Sequence, residues 1–280
     1  MSAVSVGVDG AVCTLALNRP DKLNALDADV YLGLRVELER LSEDPRTSVV
    51  VITGTGRAFS AGVDIAALAT ARPAGGDSQA GWAQRRHAMG SWQRLLDLLE
   101  RIPQVTVAAV QGHCVGGAAL LAVSCDLRIG ADDLQVRIPE LAIGIPLTWG
   151  GVPRLVRELG LPLARDLVMT GRVLDGPSAL AAGFVQRLVG RQELEAATTA
   201  LVGEVLAMPP GPMAVTRAMF SAIGRDRLGP ASWADPDILG WSGSEAESRE
   251  AGGRYASRTV SGERLPDSGS GGPKAGAADS

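Results

Sequence analysis

Residues 104–131 read QVTVAAVQGHCVGGAALLAVSCDLRIGA. QVTVAAVQG (104–112) reads as a strand, and a glycine-containing turn follows. GGAALLAVSC (116–125) is apolar on nearly every side, and a helix of that kind is normally buried. DLRIGA (126–131) is strand-like again. Strand, turn, buried helix and strand in so short a span point to an α/β architecture.

The alternation extends outward in both directions. AVCTLALN (11–18) reads as a strand, and RPDKLNALD after it as a loop rich in turn formers. Asp27 is a fair N-cap for a helix whose Val30, Leu34, Leu38 and Leu41 share one face. SVVVITG (48–54) has the apolar continuity of a strand covered on both faces, and the loop GTGRAFSAGVD follows it. Residues 65–90 have no clean period and contain RPAGGDSQAG, which predicts a mobile surface excursion. Trp92, Leu95, Leu96, Leu99 and Ile102 mark a second helix that Pro103 ends. Strand-like LQVRIP (134–139) leads to a turn through Gly144 and Pro146 and a helix from about Gly150. From about Gln192 strands give way to helical text. The expected organisation is a core over 1–191, a helical region over 192–258, and a tail over 259–280 whose Gly, Ser, Pro and Ala content predicts disorder.

Bulk composition narrows the function. The chain has 280 residues, 46% hydrophobic and 21% charged, the profile of a globular protein with a substantial core. A formal net charge of −4 gives no electrostatic footprint for nucleic acid or for an anionic membrane. Cys13, Cys114 and Cys125 have neither disulfide nor metal spacing, and with two histidines a structural zinc site is not expected. The N-terminal text lacks the features of a signal peptide, and no run has membrane length. A cytoplasmic protein with no metal is the expectation.

Single motifs are weak. GTGRAF (54–59) has Phe59 where a dinucleotide loop needs its third glycine. AFSAG (58–62) lacks the first glycine of a nucleophile elbow, so a hydrolase built on Ser60 and His113 has little support. Two loops are stronger as a pair, FSAGVD after one strand and QGHCVGGAA after another. Small residues let a ligand approach the main chain, and free N–H groups there could form a two-donor oxyanion hole. The same glycines would also serve tight turns and close helix packing. A further feature is IPELAIGIP (138–146), where Glu140 is the one polar side chain. Such a carboxyl either sits on a rim with its head in water or is buried and gains proton affinity.

LNRPDKLNAL, VVVITGTGRAFSAGVDI, AAVQGHCVGGAALLAVSCDLRIGAD and IPELAIGIPLTWGGVPRL, in this order and spacing, closely resemble the crotonase superfamily, the enoyl-CoA hydratases and isomerases. AAGFVQRLV (181–189) also resembles the text before that family's C-terminal helices. The resemblance implies a crotonase-like spiral of ββα units with a C-terminal helical trimerisation region, hence a homotrimer or hexamer. It implies an acyl-CoA substrate of fatty-acid metabolism and no cofactor. The thioester carbonyl would lie between the N–H groups of Val63 and Gly117. Arg19, Lys22, Leu23, Ala25, Ala61, Asp64 and Ile65 would line the CoA path. Gly116, Leu120, Pro139, Leu147 and Trp149 would also bind the substrate, with Leu147, Thr148 and Trp149 shaping the pocket for its acyl tail. The family's usual lysine after AG-x-D is Ala66 here, so the phosphate grip has to come partly from elsewhere, such as an arginine of a neighbouring subunit. Asp126 reads as structural.

Hydratases of the family use two glutamates. The second falls on Glu140 and the first on Leu120, which can neither accept nor deliver a proton. One remaining acid suits movement of a proton from carbon 2 to carbon 4. The leading expectation is therefore a 3-enoyl-CoA to 2-enoyl-CoA isomerase. A 2-enoyl-CoA hydratase and a non-catalytic acyl-CoA binder are the alternatives, and Glu140 speaks against the last.

Overall fold

The computed structural model describes residues 2–64, 79–226, 232 and 234–261. In chain order the first half comprises β1 (Val4–Asp9), β2 (Val12–Leu17), α1 (Ala28–Ser42), β3 (Val49–Gly54), α2 (Gln79–Met89), α3 (Ser91–Leu99), β4 (Val105–Val110), β5 (His113–Val115), α4 (Gly117–Val123), β6 (Leu127–Ala131) and β7 (Gln135–Arg137). The second half comprises α5 (Glu140–Ile143), α6 (Gly151–Thr170), β8 (Leu174–Asp175), α7 (Gly176–Ala181), β9 (Arg187–Val189), α8 (Leu194–Leu206), α9 (Pro210–Asp226), α10 (Asp235–Ser244) and α11 (Ala246–Ser261). Helix α6 breaks at Gly160, whose φ of 73° is open to glycine, and resumes before Pro162.

Six strands form one sheet in the order β1-β2-β3-β4-β6-β9, antiparallel at the β1–β2 edge and parallel from there on. A smaller sheet, β5-β7-β8, stands beside it. The apolar continuity of β3 and β4 has a direct cause. Val50, Ile52, Ala108 and Val110 face the main core with α1, α3 and α4, whereas Val49, Val51, Val107 and Ala109 pack against Leu194, Leu201 and Val202 of α8. A strand covered on both faces has no position at which a polar side chain can reach water.

Helix α1 forms as its text requires: the Asp27 side chain accepts from the Val30 N–H, and Val30, Leu34, Leu38 and Leu41 are buried. Asp126 is structural. It accepts hydrogen bonds from the Thr106 main chain and hydroxyl and from Arg217 of α9, which ties the helical C-terminal region to the sheet.

Three differences from the sequence reading stand out. Strand β1 has no counterpart there; it is an edge strand with one buried residue, Val4, packed against Gly33. The interval read as a mobile excursion contains α2 over its last part, while 65–78 lie outside the described residues. The text read as a tail from residue 259 starts inside α11, which runs to Ser261, and 262–280 lie outside the described residues. Among the described residues, no helix is long and apolar enough to cross a membrane.

Candidate active site

The two glycine-containing loops meet. Phe59 N–H donates to the Gln111 carbonyl, Ser60 N–H to the His113 carbonyl, and Val115 N–H to the Ser60 carbonyl. Gly62, at φ 83°, lies so close to Val115 that an added Cβ would come within 2.5 Å of its carbonyl oxygen. The glycine is needed here both for its conformation and for the approach. On the other side, Leu26 donates to Gly62 and accepts from Asp64. That pairing turns the N–H of Val63 away from Leu26, as alternation in an extended segment requires. Asn24 braces the arrangement: buried and at φ 56°, it donates to the Thr55 and Ala58 carbonyls and accepts from Arg19 N–H.

In the second loop, Gly116 (φ 54°) donates to the Arg137 carbonyl, and Gly117 opens α4 without a side-chain cap. The first N–H groups of a helix have no intrahelical acceptor. Among the described residues, neither Val63 nor Gly117 donates its N–H to another main-chain group. The two donors implied by the family resemblance are thus both available, on loops that touch.

Glu140 is the carboxyl at this junction. Pairing of β5 with β7 in register sets Val115 beside Arg137, and the chain then turns through Pro139 into α5. Its Oε1 lies 2.6 Å from where a Cβ on Gly116 would stand, so any side chain at 116 would displace the acid. Glu140 is 9% exposed, and its Oε2 has no hydrogen-bond partner among the described residues. Burial pushes its pKa up to about 7, opposed only by its own main-chain N–H. The rim alternative is thereby decided: the acid is buried.

Leu120 is in the core. With Leu147 it packs against Gly151 at the start of α6, where an added Cβ would be 2.9 Å from its Cδ1. Trp149 sits at φ 63°, in the left-handed region that a bulky residue rarely adopts. Arg154 holds its carbonyl and Asp235 accepts from the next N–H, Gly150. The Trp149 ring edge covers Gly117, where a Cβ would be 2.3 Å from Cζ3. Trp149 also stacks on Trp92, with centroids 5.0 Å apart and planes 10° from parallel, and Trp92 meets Tyr31 edge-on. Trp92 is a wall residue that the sequence reading assigned to a helix core face alone. Its α3 spacing carries no signal to separate those roles.

The residues expected along the CoA path are placed as follows. Lys22 is exposed at the end of a short 3-10 turn, and Leu23 accepts from Ala61 N–H. Ala25 accepts from Arg19, whose guanidinium also pairs with Asp27 at 3.0 Å and Asp64 at 3.2 Å. Arg19 therefore shapes the loop, with its charge already balanced by two carboxylates. Ile65 lies outside the described residues. Ser60 is buried with its hydroxyl accepting from Gly62 N–H, while His113 is exposed, so the two make no nucleophile–base pair. Burial pushes the Cys125 thiol up to about 12 and the Cys114 thiol higher still. No group of His, Cys, Asp and Glu among the described residues could hold a metal ion.

The family model for enoyl-CoA hydratase/isomerase matches residues 7–260. The chain belongs to this family, within the crotonase superfamily. Relatives include a crotonyl-CoA hydratase of Syntrophomonas wolfei, 32% identical over 70% of this chain and 72% of the relative. A peroxisomal Delta(3,5)-Delta(2,4)-dienoyl-CoA isomerase of Arabidopsis thaliana is 28% identical over 79% of this chain and 81% of its own. Among solved structures, an enoyl-CoA hydratase/isomerase from Mycobacterium paratuberculosis superposes with a TM-score of 0.81 at 26% identity, covering 91% of this chain and 98% of that one. The α/β core and the C-terminal helices are thus those of the enoyl-CoA hydratase/isomerase fold, and the protein is an enzyme of that family.

The raised pKa of Glu140 has a stability consequence. Between about 4.5 and 7 the folded chain keeps a proton that the unfolded chain has released, so stability falls as pH rises through that window and stays reduced above it. Glu140→Gln removes the burden. At pH 8 the variant should be more stable than wild type by roughly 2–4 kcal/mol in urea titrations, and the difference should vanish near pH 4. Equal stability at pH 8 would contradict a desolvated Glu140.

Proposed function

We propose that this enzyme moves the double bond of a 3-enoyl-CoA to carbon 2, with Glu140 as the single proton-transfer group. The observation that carries the reading is the pairing of a buried Glu140 over Gly116 with a core leucine at 120. Resemblance to the family's hydratases puts their other acid at Leu120, and here that side chain packs against Gly151.

The chemistry follows from the placement. Glu140 takes a proton from carbon 2, and the electron pair moves onto the thioester oxygen, giving a dienolate. The N–H groups of Val63 and Gly117 stabilise the developing oxyanion. A donor preorganised in this way contributes about 3 kcal/mol at the transition state. The protonated Glu140 then delivers the same proton to carbon 4, which restores the carbonyl and leaves the double bond conjugated with it. A base of pKa near 7 matches such a transfer at neutral pH, because it is partly ionised yet basic enough to take the proton. Stacked Trp149 and Trp92 with Leu147 supply an apolar wall for the acyl chain.

The isomerase reading is tested by ultraviolet absorbance of the conjugated enoyl thioester. Wild type should raise it with 3-enoyl-CoA and leave 2-enoyl-CoA unchanged. Glu140→Gln should lose at least about 10²-fold in kcat while acyl-CoA binding persists. A fall of absorbance with 2-enoyl-CoA would favour hydration. Unchanged turnover by Glu140→Gln would remove it as the base. Binding without turnover of either thioester by wild type would point to a non-catalytic member.

Assembly into trimers, alone or paired as hexamers, is part of the same proposal. Val215, Met219, Phe220 and Ile223 of α9 are all exposed, and their spacing puts them on one helical stripe. Sedimentation equilibrium should return the mass of three or six chains; a monomer would contradict this.

A further inference from the structure

Trp149 keeps its place only with help. Its φ of 63° and the 66° of Gly150 make two consecutive left-handed residues, the first of which carries an indole. A turn of this kind persists where its surroundings hold it. The peptide that joins the two residues is gripped by a side chain at each polar end. Arg154 Nη1 donates to the Trp149 carbonyl at 2.8 Å, and the Asp235 carboxylate accepts from Gly150 N–H at 2.7 Å. Arg154 is fully buried and is itself fixed by Asp97 at 2.6 Å and Glu100 at 3.0 Å. It belongs to α6, the helix that the turn opens, whereas Asp235 reaches the turn from the C-terminal region, 85 residues further on.

Asp235 has an anchor of its own. Arg86 of α2 pairs with Asp237 at 2.8 Å, and Gln93 of α3 donates to the Ser232 carbonyl. Gly90, between those two helices, approaches Pro236 so closely that a Cβ would stand 3.2 Å from its Cγ. The start of α10 is therefore seated on α2 and α3, and α3 also carries Trp92. What the grip on the turn fixes is the Trp149 ring. The ring is pressed between the stacked Trp92 on one side and Gly117 on the other, where it leaves no room for a Cβ. Gly117 is the first residue of α4 and has no side-chain cap, and its N–H is one of the two donors assigned to the thioester oxygen.

We propose that Asp235 is a positioning residue for the oxyanion hole: by holding the Trp149–Gly150 peptide, it keeps the Trp149 ring against Gly117 and the Gly117 N–H aimed at the substrate carbonyl. The helical C-terminal region thereby takes part in the chemistry of the core. This inference rests on the proposed seat of the carbonyl between Val63 and Gly117, and it is independent of Glu140 being the base.

The test compares Asp235→Ala with Asp235→Asn in the full chain. Alanine leaves the Gly150 N–H without its acceptor, whereas the asparagine carbonyl can still accept from it. In protein labelled with 5-fluorotryptophan, the Trp149 resonance is assigned by its loss in Trp149→Phe. It should move in Asp235→Ala and return in Asp235→Asn. The donor is read directly with hexanoyl-CoA carrying carbon-13 at the thioester carbonyl, whose stretch on wild type should lie below that of the free ligand. Asp235→Ala should bring the bound stretch back towards the free value, and Asp235→Asn should restore the lowering. With whichever enoyl-CoA the wild type turns over, kcat should fall about 10- to 10²-fold in Asp235→Ala, with KM nearly unchanged. If the alanine variant is too unstable to purify, Asp235→Glu keeps the charge and displaces the acceptor by one methylene, and all three readings should shift in the same directions. A stretch or a kcat that stays at the wild-type value overturns the proposal, because a role in stability alone would move neither. Asparagine behaving as alanine does would overturn it as well. A wild-type stretch equal to that of free hexanoyl-CoA would instead remove the oxyanion donors, and this inference with them.

Discussion

The cost of burying one carboxyl governs the candidate active site. Glu140 sits under the main chain of Gly116 with little access to water, and its proton affinity rises to meet that environment. Any side chain at 116, or a looser approach of α5 to the β5–α4 turn, would either expel the acid or let water in. The register of β5 against β7, the left-handed turn at Gly116 and the start of α5 at Glu140 all serve this one contact.

The proposed oxyanion donors follow from the same economy of side chains. Val63 and Gly117 present main-chain N–H groups because glycine at 62 and 116 lets two loops close on each other, with Ser60 and Cys114 bridged between them. A main-chain donor cannot swing away, so it needs little reorganisation as charge develops on the substrate. Leu120 and Leu147 fill the volume behind it, and the Trp149–Trp92 stack closes the side. The proposed site has one titratable group and two fixed donors, which suits returning a proton to the carbon skeleton it came from. Holding water for hydration would call for a further polar anchor.

Much of this was legible in the sequence, and what was not has physical reasons. The runs at 48–54 and 104–112 announced strands because both of their faces are covered, and the Asp27 cap with Val30, Leu34, Leu38 and Leu41 announced α1. Glu140 stood out because burial of an acid is rare. By contrast, β1 is an exposed edge whose VSVGVD text carries no core pattern, and α2 is a polar helix with Trp82 exposed. Helix α5 is a single turn, too short for periodicity to show. The family resemblance sets Arg19 along the CoA path, but its two carboxylate partners, Asp27 and Asp64, are far apart in the chain and meet it only in the fold. Trp92 likewise acquires its place from a tertiary contact, its stack on Trp149.

The central claim, that one buried carboxyl both removes and returns the proton, is tested most directly by isotope transfer. A 3-enoyl-CoA carrying two deuterium atoms at carbon 2 would be converted in ordinary water in a single turnover, with enzyme in excess, and the product analysed by mass spectrometry. The account predicts one deuterium kept at carbon 2 and a measurable fraction of the other at carbon 4, because a desolvated carboxyl exchanges slowly with solvent. Product with only solvent hydrogen added at carbon 4 would contradict it.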